Sequence, residues 1–403
     1  MRRLFVMLIF LGFSFAGMSQ TILISGKVVD KETKETLTYA TIGIKGKSIG
    51  TITNLQGEFD FHLPAEYRND FIFINMLGYK TFEAPVWTLL DINPLIIEIE
   101  KSIIELKEVI ISDSLQGGDI LQIALSRVEE NYPMNPYLLY GFYRDIKKVG
   151  GTYVSLLEAA VKIYDENYEE PRNKNKLRER VALQEVRRSL GYGSKFTSYF
   201  DQDNLLEVLL LHNSVRYRLF PQEQSFFNEL KRQKDSYYDG QAIFIVAHKG
   251  DFNLTVHVEK YTYAIIHIEY EEKPDNKLHK KRGMVSKLVS SRRVNDFKKF
   301  DGKYYINYLS VDSKVNWYDI NTQELKFETE LNQSLLINQV LPNAQSRINA
   351  NQKMKAYGLQ YQDPPYNKEF WDNYNLMKES PLDRKIIEDL EKQGLLDKQF
   401  KDN

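Results

Sequence analysis

Short stretches in which apolar residues alternate with polar ones run through most of this chain, and that period of two constrains the fold more than any other feature. From Thr21 to about Ser112 the segments ILISGKVVD, YATIGIKG, GTITNLQGEFDFHL, FIFINMLGYKTFEAPV and LIIEIEK follow one another, each bounded by Gly, Asn, Asp or Pro. Alternation turns one side of each segment inward, and the bounding residues supply the backbone angles of tight turns. The pattern predicts a small antiparallel β-sandwich. In GTITNLQGEFDF the turn is Asn54-Leu55-Gln56-Gly57, with Gly57 free to take positive φ, and Gly78 in MLGYK is expected to serve the next bend. Both glycines are read as structural turn residues.

A sandwich of some ninety residues leaves most of the 403 unassigned, so the length calls for a second unit. Tyr and Phe are frequent, at 26 and 22, which favours strands there too. With 54 Lys plus Arg against 55 Asp plus Glu, no global field draws the chain to nucleic acid.

The first residues have the parts of a secretory signal. Arg2 and Arg3 precede an apolar run from Leu4 to Phe15, and Ala16-Gly17-Met18-Ser19 offers small residues for cleavage, expected after Ser19. The run is shorter than the roughly 20 residues of a membrane-spanning helix. Cysteine is absent. Export without disulfides, and without the cysteine of a lipid anchor, points to a Gram-negative periplasm or the periphery of its outer membrane.

The phrases SGKVVDKETKETLTYATIGIKGKSIGTITNLQGEFDFHL, INMLGYKTFEAPV and ELKEVIIS resemble the carboxypeptidase-like regulatory domain found in envelope proteins of Bacteroidetes. The resemblance implies a seven-stranded transthyretin-like (Ig-like) sandwich, an accessory domain without peptidase activity. Such domains often precede the plug and barrel of outer-membrane receptors. The residues that follow here are too few for that barrel, so no receptor is expected.

After Gly117-Gly118, DILQIALSRVEENYP carries Ile120, Ile123, Ala124 and Val128 at helical spacing, with Asp119 as its expected cap, Gln122 three residues on and Pro133 near its end. Strands are expected in GTYVSLLEAAVKIY, QAIFIVAHKG, NLTVHVEKYTYAIIHIEYEE, KYYINYLSV and ELKFETELNQSLLI, with hairpin turns at Asp239-Gly240 and Asp301-Gly302. Residues 172–235 read as helical or irregular. The expected organisation is a signal peptide (1–19), the sandwich (20–112), an α+β unit with a large curved antiparallel sheet and helices (113–341), then a linker and helical tail (342–403). In the tail, Ser380-Pro381 starts a helix with Leu382, Ile386, Ile387 and Leu390 on one face and Gly394 at its end. YGFYRDIKK, LLEAAVKIY, FKKFDGKYYINYL and the tail resemble Bacteroidetes envelope proteins that carry the same domain in front. The strand order is similar to the open half-barrels of periplasmic lipoprotein carriers, which hold acyl chains in a concave face.

Signatures of several common catalytic classes are missing: no nucleophilic cysteine, no HExxH helix, no phosphate-binding glycine loop. The constellation with most chemistry is TVHVEKYTYAIIHIEYEE. A turn near Thr262 sets His257 opposite His267, with Glu259 and Glu269 on the same sides, a set of donors that suits Zn²⁺. Val256, Val258, Ile266 and Ile268 alternate with them, so the same residues also read as the polar side of a half-buried sheet. The basic stretch KLHKKRGMVSKLVSSRRVNDFKK, with Lys277, Lys280, Lys281, Arg282, Arg292 and Arg293, offers peripheral contact with lipid phosphates or an acidic partner. No cofactor is expected. The leading reading is a non-catalytic envelope accessory protein that binds a protein partner or an apolar ligand. The alternatives are a lipid or lipoprotein carrier and a metal-dependent hydrolase.

Overall fold

The computed structural model describes residues 21–102, 115–193, 195–200, 204–274, 279–354, 358–362, 364–378 and 381–401. The expected signal segment and its cleavage after Ser19, the ELKEVIIS segment, Lys277 and Ser380 lie outside the described residues. Among those described, no helix is long and apolar enough to cross a membrane.

Seven strands form the first unit: β1 (Thr21–Asp30), β2 (Thr41–Ile44), β3 (Gly50–Ile52), β4 (Glu58–Pro64), β5 (Phe71–Asn75), β6 (Phe82–Pro85) and β7 (Ile96–Ile99). They make a three-stranded sheet, β4-β1-β7, facing a four-stranded one, β3-β2-β5-β6. Alternation is clearest in β4, where Phe59, Phe61 and Leu63 are fully buried and their neighbours are not. One pair departs from the expected antiparallel order, since β7 runs parallel to β1 over Lys27–Asp30. Gly57 takes φ +72°, and a Cβ there would lie 2.5 Å from the Val28 carbonyl, so the turn accepts glycine alone. The Asn54 side chain closes the same turn by accepting the amides of Gln56 and Glu58 at 2.9 Å. Gly78 also has positive φ, +81°, and its amide donates across to the Tyr237 carbonyl of the second unit at 2.7 Å.

That second unit is an open twelve-stranded antiparallel sheet. Its strands are β8 (Tyr137–Val149), β9 (Thr152–Asp165), β10 (Arg180–Arg188), β11 (Lys231–Arg232), β12 (Ser236–Tyr238), β13 (Gln241–Lys249), β14 (Phe252–Glu259), β15 (Ile265–Glu272), β16 (His279–Lys281), β17 (Met284–Phe300), β18 (Lys303–Asp319) and β19 (Leu325–Leu341). The main order is β10-β9-β8-β19-β18-β17-β15-β14-β13-β11. Hairpins at Asp239-Gly240 and Asp301-Gly302 have positive φ at both residues, the twist that matches paired strands.

Several strands differ from expectation. β10 and β11 lie inside the stretch read as helical or irregular. β8 and β17 lie outside the segments expected as strands, and Arg144, Asp145 and Lys147 of β8 are buried in ion pairs.

One face of this sheet packs helices. α1 (Gly117–Ser126) and α2 (Val128–Asn131) bury Ile120, Leu121, Ala124 and Val128 against Val256, Val258 and Ile268. α3 (Leu205–Leu211) and α4 (Gln224–Glu229) add Leu206, Leu209, Phe226 and Phe227. Helix α1 begins earlier than Asp119. Gln116 is the cap, and the Asp119 carboxylate, three residues on, accepts the Gln116 amide at 2.9 Å. The paired glycines are therefore not a break. They sit in the first turn because a Cβ on Gly118 would come within 2.3 Å of the Phe227 carbonyl of α4.

The opposite face carries the sandwich at one end and the tail at the other. α5 (Lys368–Asp372) packs Trp371 on Phe142, while α6 (Pro381–Glu391) and α7 (Leu396–Lys401) bury Ile386, Leu390 and Phe400 over Ile146, Tyr153 and Leu156. The tail helix is docked, and Gly394 follows it at φ +119°.

Candidate functional site

β14 and β15 are joined by a turn that Glu259 organises. Its carboxylate accepts the amides of Tyr261 at 2.8 Å and Thr262 at 2.9 Å, and the Thr262 hydroxyl as well. The turn sets the register, and His257 stands directly across from His267, with a bulge immediately after it. The imidazoles stack with centroids 5.0 Å apart and planes at 23°.

The next strand, β17, brings Asp296 opposite His267. The Asp296 carboxylate lies 2.8 Å from His267 Nδ1, and Glu269 Oε1 lies 3.2 Å from Nε2. Burial opposes charge on His267, but the two carboxylates outweigh it and push its pKa up to about 9. The ring is thus an imidazolium that donates from both nitrogens. His257 has the opposite fate: burial, reinforced by the neighbouring charge of His267, pulls it down to about 3. The hydrogen bond from His267 holds Glu269 at about 2, against burial and with help from Arg292, which reaches it at 3.1 Å.

This group is not on an open polar face. The sandwich lies over it, so that His257 is only 7% exposed. A cavity of about 200 Å³ remains between the units, lined by His257, His267, Glu269 and Arg292 below and by Tyr39, Asn75 and Met76 above. Around it the units are bonded together: Tyr39 stacks on Tyr308 at 5.3 Å, and Asn75 Nδ2 donates to Asp239 at 2.9 Å. His257 Nδ1 and Asn75 Oδ1 are buried with no hydrogen-bond partner.

The four residues suggested as metal ligands are therefore brought near each other but not around one point. Glu259 is committed to its turn, and a protonated His267 has no lone pair to offer. Among the described residues, no group of three or more His, Asp or Glu side chains is disposed to hold a metal ion. Asp296 completes the cluster and is missed by reading His-x-Glu pairs alone. Its signal in the sequence is its place as the lone acid in a basic run.

That basic run does not form one patch. Arg292 and Arg293 point to opposite faces of β17, paired with Glu269 at 3.1 Å and Glu272 at 3.4 Å. Lys280 lies in β16 and Arg282 in the turn to β17, roughly 30 Å from Arg292 along the strand. Lys281 donates to the Phe200 carbonyl at 3.3 Å.

Comparison with known proteins bears on the first unit. No curated protein matches the chain. Among solved structures it is similar to lipovitellin, in a study of lipid–protein interactions (12% identity over 58% of this chain and 28% of that one, TM-score 0.25). It is also similar to MucB in complex with periplasmic MucA (7% identity, 57% and 99%, TM-score 0.17). A third is a putative membrane-associated protein of unknown function from Bacteroides fragilis (9% identity, 79% and 98%, TM-score 0.16). Overlaps this loose assign neither fold nor function. Residues 24–111 match the family model of the CarboxypepD_reg-like domain, and the described part of that span is the seven-stranded sandwich. The N-terminal unit of this chain is a CarboxypepD_reg-like domain.

Proposed function

We propose that the protein is a non-catalytic accessory protein of a Gram-negative envelope, exported by its first 19 residues, that binds a protein partner or an apolar ligand. The observation that carries this reading is the fate of the acid–base groups on the sheet. Glu259, His267, Glu269 and Asp296 are each bonded to protein neighbours beneath the sandwich, which is an arrangement for joining two units rather than for turning over a substrate. The CarboxypepD_reg-like domain agrees with an accessory role.

The rival readings find less support. An acyl-chain carrier needs an empty apolar concavity, and the apolar face of the sheet is packed with Tyr132, Tyr168, Phe227 and Phe297. A metal hydrolase needs free ligand lone pairs where this chain has an imidazolium. Attraction to anionic lipid rests on Lys280 and Arg282, since Arg292 and Arg293 are already paired.

The test is made in cells of a Gram-negative host. Fractionation should find the protein outside the inner membrane with Gln20 at its N-terminus. A photo-crosslinking residue in place of Trp87, which is 54% exposed on the sandwich, should give a discrete adduct. Retention in the cytoplasm with residues 1–19 intact, or ester or peptide hydrolysis by the purified protein that His267→Gln abolishes, would overturn the reading.

A further inference from the structure

Beside the histidine cluster, separated from it by Asn75, Tyr238 and Ile266, lies a larger cleft between the two units, of about 540 Å³. Its sandwich wall is β2, the turn through Lys45–Lys47 and Phe73; its sheet wall is Gln241, Ile243, the end of β17 and Tyr304. Most of the charges here are neutralised by protein. Lys45 pairs with Glu83 at 2.7 Å, Lys47 lies 4.0 Å from Asp70, Asp239 accepts from Asn75, and Glu259 is held in its turn.

Lys298 is different. Among the described residues its ammonium has neither a hydrogen bond nor a carboxylate partner. It reaches across the junction to Gly50 of β3, where a Cβ would lie 3.6 Å from Nζ. Its side chain lines the cleft, and burial alone pulls its pKa to about 8. An ammonium with three donors, still charged at neutral pH and matched by no anion, is costly unless something else supplies one.

We propose that this cleft binds a small organic monocarboxylate with an apolar body, its carboxylate on Lys298 and its chain among the apolar side chains of the two walls. A single ammonium suits a monoanion; a phosphate would ask for several cations or an arginine fork. Ile49, Phe73, Tyr238 and Phe300, each only partly buried, supply the apolar lining. A pocket of this volume and mixed character is typical of sites for small molecules. The inference rests on reading the protein as a binding protein. Export and cross-linking bear on that reading and not on Lys298, so the two fail separately.

The probes are sodium octanoate, octanol and sodium phosphate, added to the full-length mature chain and followed by calorimetry. Octanoate should bind roughly ten- to a hundredfold more tightly than octanol, the worth of a charge-assisted hydrogen bond, and phosphate should not compete. Lys298→Met should remove that preference while Lys298→Arg retains it, and octanoate affinity should fall as pH rises past about 8. Absence of octanoate binding, equal affinity for octanoate and octanol, or an unchanged preference in a folded Lys298→Met would overturn the proposal. Should Lys298→Met fail to fold, the octanoate–octanol ratio and its pH dependence in the unaltered chain decide.

Discussion

The imidazoles of His257 and His267 lie in parallel contact, centroids 5.0 Å apart, with one ring neutral and the other charged. The asymmetry comes from their neighbours. Asp296 and Glu269 hold the proton on His267, whereas Nδ1 of His257 is buried without a partner. Two like charges at this distance under the sandwich would repel strongly, so only one ring is charged.

Stability should therefore fall on both sides of about pH 6.5. His267 is raised when folded, so its contribution is complete below about 6.5 and is lost as pH rises through about 9. His257 is depressed, so a penalty builds as pH falls from about 6.5 toward about 3. His267→Gln should flatten the alkaline limb and cost on the order of 3 kcal/mol at pH 7. Urea denaturation at several pH values checks both limbs. The exposed Arg292–Glu269 pair matters less, and Arg292→Ala should cost under about 1 kcal/mol.

On the tail side, Glu158 sits between Arg144 and Arg187, each at 2.6 Å, with 2% of its side chain exposed. Its two guanidiniums overcome burial and keep its pKa low. Glu158→Gln takes away the charge they share, and a loss of about 3–5 kcal/mol is expected from thermal unfolding. Double replacement of the arginines by methionine together with Glu158→Leu should recover much of it.

Gly118 admits α1 to the backbone of α4. Gly118→Ala places a methyl 2.3 Å from the Phe227 carbonyl and should destabilise by about 1–3 kcal/mol. Gly302→Ala is the contrast: its φ of +75° is strained for alanine but the space is open, and roughly 1 kcal/mol is expected. Denaturation midpoints of the two variants separate crowding from backbone strain.

Asn375 straps the tail to the sandwich. Its side chain accepts the His62 amide at 2.7 Å and donates to the His62 carbonyl at 2.9 Å, and nearby Lys378 pairs with Asp60 at 2.8 Å. Both contacts cover β4, the edge of the three-stranded sheet. Asn375→Ala should cost about 1–2 kcal/mol and expose the 373–378 stretch to limited proteolysis while leaving α1 protected.

Turn chemistry made much of this legible from sequence. Asp239-Gly240, Asp301-Gly302 and Gly57 announced their bends, and the turn after Glu259 placed His257 across from His267. Two things were not legible. Charges buried in pairs, as in Arg144-Asp145 of β8, look identical to surface charges until the partner strand is known. The polar side of β14 and β15 read as facing solvent because nothing local records that another unit covers it. The same gap hid Lys298, a residue of the basic run that becomes notable only when the fold brings it to the junction of the two units.

The central claim is that the sandwich seats on the sheet and buries the histidine pair. Nitrogen-resolved NMR of the imidazoles in the full-length mature chain, from about pH 4 to about pH 10, tests it most directly. The account predicts that His267 keeps protons on both ring nitrogens until about pH 9 and that His257 stays neutral at the acid end of the range. Both rings titrating together near their ordinary value of about 6.5 would contradict it, because solvent would then reach a face that the sandwich is said to cover.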